Sequence, residues 1–442
     1  MKRFYLPAAI LSFAAVLTAQ DSVTTVLPAI INPTSVDAVA AGTVRTNSLN
    51  AHPDQAAAGE RSSAPVDTTG YAAFPRVSLI TCTPGVEIWE QYGHTAIRYE
   101  DPEEGIDVIF NYGLFSFQAP NFVWRFCTGQ TDYQVGAEAY ASFETEYLER
   151  GSVVKIQVLD MAPDEVERFR HLITLNCRKE NRIYRYNFFY KNCSTMARDI
   201  LYQSLNNLVT FAPCDSVTLR HILHEHNKGY PWTSFAIDLV LGLEADRPVD
   251  HELQEFAPDR LHTTFSGARS GGRPLVKEER IIGPEAPMPD FFRFPLTPLQ
   301  AMYVLLILTA IICVFDLLVE KLQWWYDILL YGLQGVMGIV IAFLFFFSGH
   351  PAVDSNILVI LFNPLIFVLL PFIIHSTRRL KHRWACWVEL GLIVLLVVTQ
   401  WLLLQQIPDA LWVLTASLLL RTLHHIILQF YLLSRRRKAV RA

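Results

Sequence analysis

An α+β domain followed by an all-α membrane domain of about five transmembrane helices is the architecture this sequence predicts. Three observations point to it. Hydrophobic residues make up 51% of the 442 residues and charged residues only 18%, apolar for a soluble protein. The excess is not spread evenly, because residues 21–290 read as an ordinary exported domain and residues 299–433 read as membrane. Within the exported part, alternating strand-like runs near residues 76–112 are followed by helix-spaced apolar residues from Asp164 onward.

The elements follow in chain order. Lys2 and Arg3, an apolar run from Leu6 to Leu17 and the small-residue zone Thr18-Ala19-Gln20 predict a signal peptide over residues 1–20. Residues 21–70, rich in Ala, Ser, Thr, Asp and Pro, predict a disordered leader. Folding is expected from residue 71, with a thiol domain over 71–262 and a linker over 263–298. Arg76–Cys82 reads as a strand. His94–Glu100 and Ile106–Tyr112 read as a hairpin whose turn lies near Glu103, which sets His94 roughly opposite Asn111 and Tyr112. Asp164–Cys177 has helical spacing, and Ile183–Tyr190 is aromatic and strand-like. Asn192 is a good cap for a helix running to about Leu205. Shorter helices are expected at 217–226 and 234–243.

The apolar stretches 299–319, 327–347, 356–375, 386–405 and 410–433 are each near the ~20 residues needed to cross a bilayer. Asn363-Pro364 should break the third. An exported N-terminal domain sends the first span inward. The 376–385 loop, with Arg378, Arg379, Lys381 and Arg383, and the basic tail 434–442 then both fall in the cytoplasm, as the positive-inside rule requires. The 348–355 loop falls in the periplasm. The expected location is therefore the bacterial inner membrane, multi-pass, with the N-terminal domain periplasmic. Arg421, deep in the fifth span, needs partners; Asp316 and Glu389, with His424 and His425 nearby, suit a structural ion-pair cluster. The Trp324-Trp325-Tyr326 group reads as an interfacial aromatic belt.

Net charge of −5 and the lack of a basic stripe in the soluble part argue against a nucleic-acid partner. His221, His224 and His226 do not share one helix face, so no metal is expected, and no Gly-rich phosphate loop appears. Five of the seven cysteines lie in the exported part, so at least one stays unpaired within the chain.

Cys193 is the candidate nucleophile. In the first turn of a helix, unpaired N–H groups and the positive helix end stabilise a thiolate and can hold an oxyanion. The bland alternative is a small buried residue at a helix start. His94, after Gly93 at the start of a strand, is the candidate base. Gly93 would let a substrate approach, and Asn111 could orient the imidazole. Asn192, beside the nucleophile, joins the candidate substrate-binding set. So do His350 and Asn356, polar residues at the periplasmic edge that could meet headgroups.

A histidine on a strand, followed by Asn-Cys opening a helix, resembles the circularly permuted NlpC and papain-like folds, whose members include lecithin:retinol acyltransferase. The whole chain is more similar to the Lnb lipoprotein N-acyltransferases of Bacteroides and related bacteria. The matching pieces are GHTAIR (93–98), FNYGLFSF (110–117), FFYKNCST (188–195), HPAVDSN (350–356) and FNPL (362–365). The resemblance implies Cys193 as nucleophile and His94 as base, but it does not reach Asn111. It implies transfer of an acyl chain to the N-terminal amine of a diacylated lipoprotein acceptor; phospholipid is the expected acyl donor, and no cofactor is expected because that ester already carries the acyl group. A membrane-tethered cysteine peptidase or amidase and a non-enzymatic periplasmic sensor are the alternatives. Oligomeric state is not legible.

Overall fold

The computed structural model describes residues 74–85, 90–206, 208–283, 294–379 and 384–441. The expected signal peptide and leader lie outside them, as do residues 380–383 of the basic loop.

The N-terminal domain is built on a seven-stranded sheet. Its strands are β1 (Arg76–Cys82), β2 (His94–Asp101), β3 (Ile106–Leu114), β4 (Asp132–Ala139), β5 (Val154–Leu159), β6 (Ile183–Arg185) and β7 (Val276–Ile282). They run in the order β7-β5-β1-β2-β3-β4-β6, with every neighbouring pair antiparallel. Alternation along the strands divides the core between two faces. Leu79, Ile97 and Phe110 meet helices α3 (Pro163–Cys177) and α4 (Cys193–Ser204) through Phe169, Ile173, Ile200 and Leu201. Ile80, Ala96 and Ile109 meet Phe143 and Tyr147 of α2 (Tyr140–Glu149). Each such fully buried Leu, Ile or Phe contributes about 1.5–3 kcal/mol.

Two expectations change here. The linker is shorter than 263–298, because helix Pro258–Gly267 packs Leu261 and Phe265 into the core and β7 pairs with β5. The charged run Lys277-Glu278-Glu279-Arg280 hides this strand from periodicity analysis; it is the solvated edge of the sheet, where charge protects against pairing with other chains. The strand expected over Ile183–Tyr190 stops at Arg185. Asn187 Oδ1 accepts from Phe189 N and Tyr190 N at 3.1 and 3.2 Å, and this Asx turn redirects the chain into α4. The two short helices form at Leu219–His226 and Pro231–Val240.

Five helices beyond residue 297 are long and apolar enough to cross a membrane. They span Pro298–Leu318, Trp324–Phe347, Ile357–His375, Trp384–Leu403 and Asp409–Arg435. The third is broken as expected. A 3₁₀ turn (Ile357–Ile360) precedes the helix Leu365–Arg379, and Asn363 bridges them through bonds to Ile360 O (2.6 Å) and Leu365 N (3.0 Å). Gly338 of the second span lies against this break; a Cβ there would meet the Asn363 backbone at 2.5 Å. The last helix continues through the basic tail to Arg441.

Arg421 is fully buried and paired, with Nε on Asp327 Oδ1 at 2.6 Å and an NH group on Asp316 Oδ2 at 2.5 Å. His425 shares Asp327, and His424 lies 3.3 Å from Asp316. Glu389 does not pair with Arg421; it accepts from Gln334 at 2.8 Å. Asp327, one turn into the second span, fills the place expected for it.

Candidate active site

The site is assembled where β2, β3 and the start of α4 converge. Asn192 caps α4 in extended backbone conformation, accepting from Ser194 N and Thr195 N at 2.9 and 3.0 Å, while the Thr195 hydroxyl accepts from Asn192 N. The Asn192 amide donates to Phe188 O and Phe256 O, both at 2.8 Å. Its polar atoms are thereby committed inside the protein, so Asn192 aims the nucleophile and has little left for substrate. The same bonds occupy the Ser194 and Thr195 N–H groups, so these do not form the expected oxyanion site. Cys193 opens the helix and keeps part of its surface accessible. A buried bond of 2.8 Å between Thr95 and Ser194 hydroxyls clamps α4 onto β2 beside it.

His94 begins β2 and hydrogen-bonds Cys193. Its Nε2 lies 2.9 Å from Asn111 Oδ1, which also accepts from Gly113 N at 3.0 Å. Two donors converging on Oδ1 fix the tautomer. The proton sits on Nε2, which leaves Nδ1 as the ring nitrogen for the bond with Cys193. The β2–β3 register pairs Ala96 with Asn111, two residues from the expected alignment, so Asn111 reaches His94 diagonally. Gly113 lies against the ring instead, and a Cβ there would meet His94 Cε1 at 2.7 Å. Sequence reasoning missed Gly113, and it missed Glu138, which hydrogen-bonds Asn111 from β4. Both depend on strand pairings that local patterns do not reveal.

Each partner's charge favours the other's. Burial raises the Cys193 thiol, but the His94 charge and hydrogen bond, with bonds from Thr95 N–H and the Ser194 hydroxyl, bring it below its ordinary value. For His94, burial pulls down, and the attraction of Cys193 with bonds to Cys193 and Asn111 lifts it above the ordinary histidine value. Burial leaves Glu138 raised despite its bond from Asn111. Both shifts run in the direction that a thiolate beside an imidazolium requires.

The other candidates sit elsewhere in the architecture. Gly93 has φ 76°, and a Cβ would strike Cys82 O at 2.5 Å, so its glycine serves the turn into β2. His350 donates toward the domain, its Nε2 lying 2.9 Å from Phe126 O. Asn356 is buried and bonds Leu239 O (2.9 Å), Leu358 N (3.0 Å) and Gln405 (3.1 Å). The structure makes both of them joints between the domain and the spans, with Asn356 closed to headgroups. All seven cysteines are free thiols. His224 and His226 pair with Asp238 and Asp259.

The comparisons agree with this division of the chain. No curated protein and no solved structure matches it. A family model for the Lnb N-terminal periplasmic domain matches residues 68–224, and one for the Lnb transmembrane domain matches residues 290–431. Together the two matches cover more than half of the sequence, in the order in which the two domains are observed. A multi-pass membrane protein with a periplasmic α+β domain and five apolar helices, this chain belongs to the Lnb family.

Proposed function

We propose that the protein is an inner-membrane N-acyltransferase that moves an acyl chain from phospholipid, through a thioester on Cys193, to the N-terminal amine of a diacylated lipoprotein. The observation that carries this reading is the Cys193–His94 pair at a helix start, in a domain held by hydrogen bonds against the periplasmic ends of the spans.

The chemistry balances within the pair. Cys193 Sγ attacks the ester carbonyl, the C–O bond breaks, and the leaving alkoxide takes a proton from His94 Nδ1, releasing a lysophospholipid. The lipoprotein amine then attacks the thioester. It gives a proton to His94 as the C–S bond breaks and the thiolate returns. Asn111 holds the ring through Nε2 in both steps, and Glu138 holds Asn111. The donor ester already carries the acyl group, and both steps exchange one acyl bond for another, so no cofactor is required.

The test is mass spectrometry of lipoprotein N-termini from cells making the full chain, Cys193→Ser or neither. N-acylation is expected with the parent only, because serine lacks the thiolate that makes the nucleophile. Normal acylation by the serine variant would overturn the assignment. Cleavage of cell-wall peptides with lipoprotein amines left free would select the peptidase reading.

A further inference from the structure

The chemistry leaves unused a run of aromatic rings between Cys193 and the spans. Tyr186 stacks on Tyr133 at 4.1 Å between ring centroids, and Tyr133 stacks on Phe115 at 4.6 Å. Phe115 stacks in turn on Phe122 at 5.6 Å. Phe122 begins the short helix α1 (Phe122–Cys127), whose Trp124 packs on Phe343 of the second span at 5.2 Å. At the inner end, Gln134, next to Tyr133, pairs with Leu114, which follows the Gly113 that lies against the His94 ring; burial foremost pushes the Tyr133 and Tyr186 phenols up, and Cys193 is among the groups that add to it. At the outer end, Trp124 is 59% exposed and Phe117 44%. Exposed rings grouped in this way are costly in water and favoured at a bilayer rim.

We propose that this run is the path of the donor's fatty acyl chain, which leaves the periplasmic leaflet beside the contact of Trp124 with Phe343 and lies along Phe122, Phe115 and Tyr133 with its ester carbonyl at Cys193. The occupant follows from the chemistry of the surface. A peptide laid on ring faces would leave its backbone groups without partners, whereas a hydrocarbon chain needs none. The one cation on α1, Arg125, is held by Asp132 at 2.5 Å and by Gln130 O. The contact with Phe343 makes the bilayer the source. The path rests on the acyl-transfer reading and adds to it where the chain lies, so contacts along the run select long chains over short ones.

The test uses the full chain in lipid nanodiscs and follows acyl-Cys193 by intact mass after adding p-nitrophenyl acetate or p-nitrophenyl palmitate. Trp124→Gln, at an exposed position, and Phe115→Ala are compared with the parent. Each variant should form the acetyl thioester at the parent's rate and the palmitoyl thioester about tenfold more slowly, the scale of losing roughly two methylene contacts. Equal slowing with both esters, or no slowing with either, would overturn the path while leaving acyl transfer intact. A parent that forms neither thioester would sink the acyl-transfer reading itself, and the path with it.

Discussion

Two charged clusters in this chain use similar residues to opposite ends. In the spans, Arg421 lies between Asp316 and Asp327 with His425 beside them, all fully buried. In the periplasmic domain, Cys193 and His94 form a pair in which Cys193 is only partly covered. The first cluster is closed: a fixed guanidinium answers fixed carboxylates, and no substrate reaches it. The second is open in the proposed chemistry, where its charge arises by moving one proton from sulfur to nitrogen and is discharged by forming a bond to carbon. Burial alone therefore does not separate a structural ion pair from a reactive one. Proton mobility and access do.

The contrast can be broken from either side. Arg421→Met should cost the most, because it strands two carboxylates; removing one partner of a buried pair typically costs about 3–5 kcal/mol. Thermal unfolding in detergent should fall accordingly, while Cys193 in the surviving folded fraction alkylates at the parent's rate. A variant as stable as the parent would show that the cluster is dispensable.

His94→Ala attacks the other cluster. Turnover should drop about 10²-fold or more, the scale of losing a general base. The thiolate exists above the thiol pKa, and in the parent that pKa is lowered. Without His94, burial prevails and the pKa rises, so iodoacetamide labelling of Cys193 should retreat to higher pH. An unchanged labelling profile would mean that His94 does not activate the thiol.

Gly113→Ala sharpens the comparison, since it adds one methyl against His94 Cε1 and touches no charge. Displacing a catalytic group by about 1 Å can cost up to ~10²-fold. We expect a ten- to hundred-fold loss (~10–10²) in acylation with the protein still folded by circular dichroism. Full activity would show that the ring has room to move. Asn111→Ala should do least, roughly tenfold in turnover, because the ring loses its orienting acceptor but keeps Nδ1 beside the sulfur. A loss as deep as that of His94→Ala would give Asn111 a direct part in the chemistry.

What the sequence disclosed follows the range of each interaction. The spans, the β2–β3 hairpin and the capped start of α4 are local patterns, and all three appear where apolar periodicity, turn residues and a cap placed them. Gly113 turns on the register of that hairpin, which pairs Ala96 with Asn111 and so sets Gly113 against His94; Glu138, β4 and the edge strand β7 depend on pairing between distant segments, and β7 is further disguised by its charges. Polar residues misled in a consistent way. Asn192, Asn356 and Gly93 look available in a linear reading, yet their atoms or their backbone are consumed by a cap, a joint and a turn. Arg421 announced that it needed partners, but only packing identified Asp327 as one of them.

The end of α1 has a consequence for biogenesis. A helix leaves its last carbonyls unpaired, and here Gly349 N donates to Thr128 O at 3.0 Å while His350 Nε2 bonds Phe126 O. The loop between the second and third spans thus docks on the end of a helix of the soluble domain, which its own Thr128, Gly129 and Gln130 N–H groups close. Gly129, at φ 69°, brings the chain so close to Gly349 that a Cβ would lie 3.1 Å from its carbonyl carbon. A chain newly exported, with its first span inserted and the next two still unassembled, closes that helix through Thr128, Gly129 and Gln130 N–H alone and lacks the bonds from Gly349 and His350. Bundle assembly and completion of the periplasmic domain are coupled in this way, and the protein should melt as one cooperative unit.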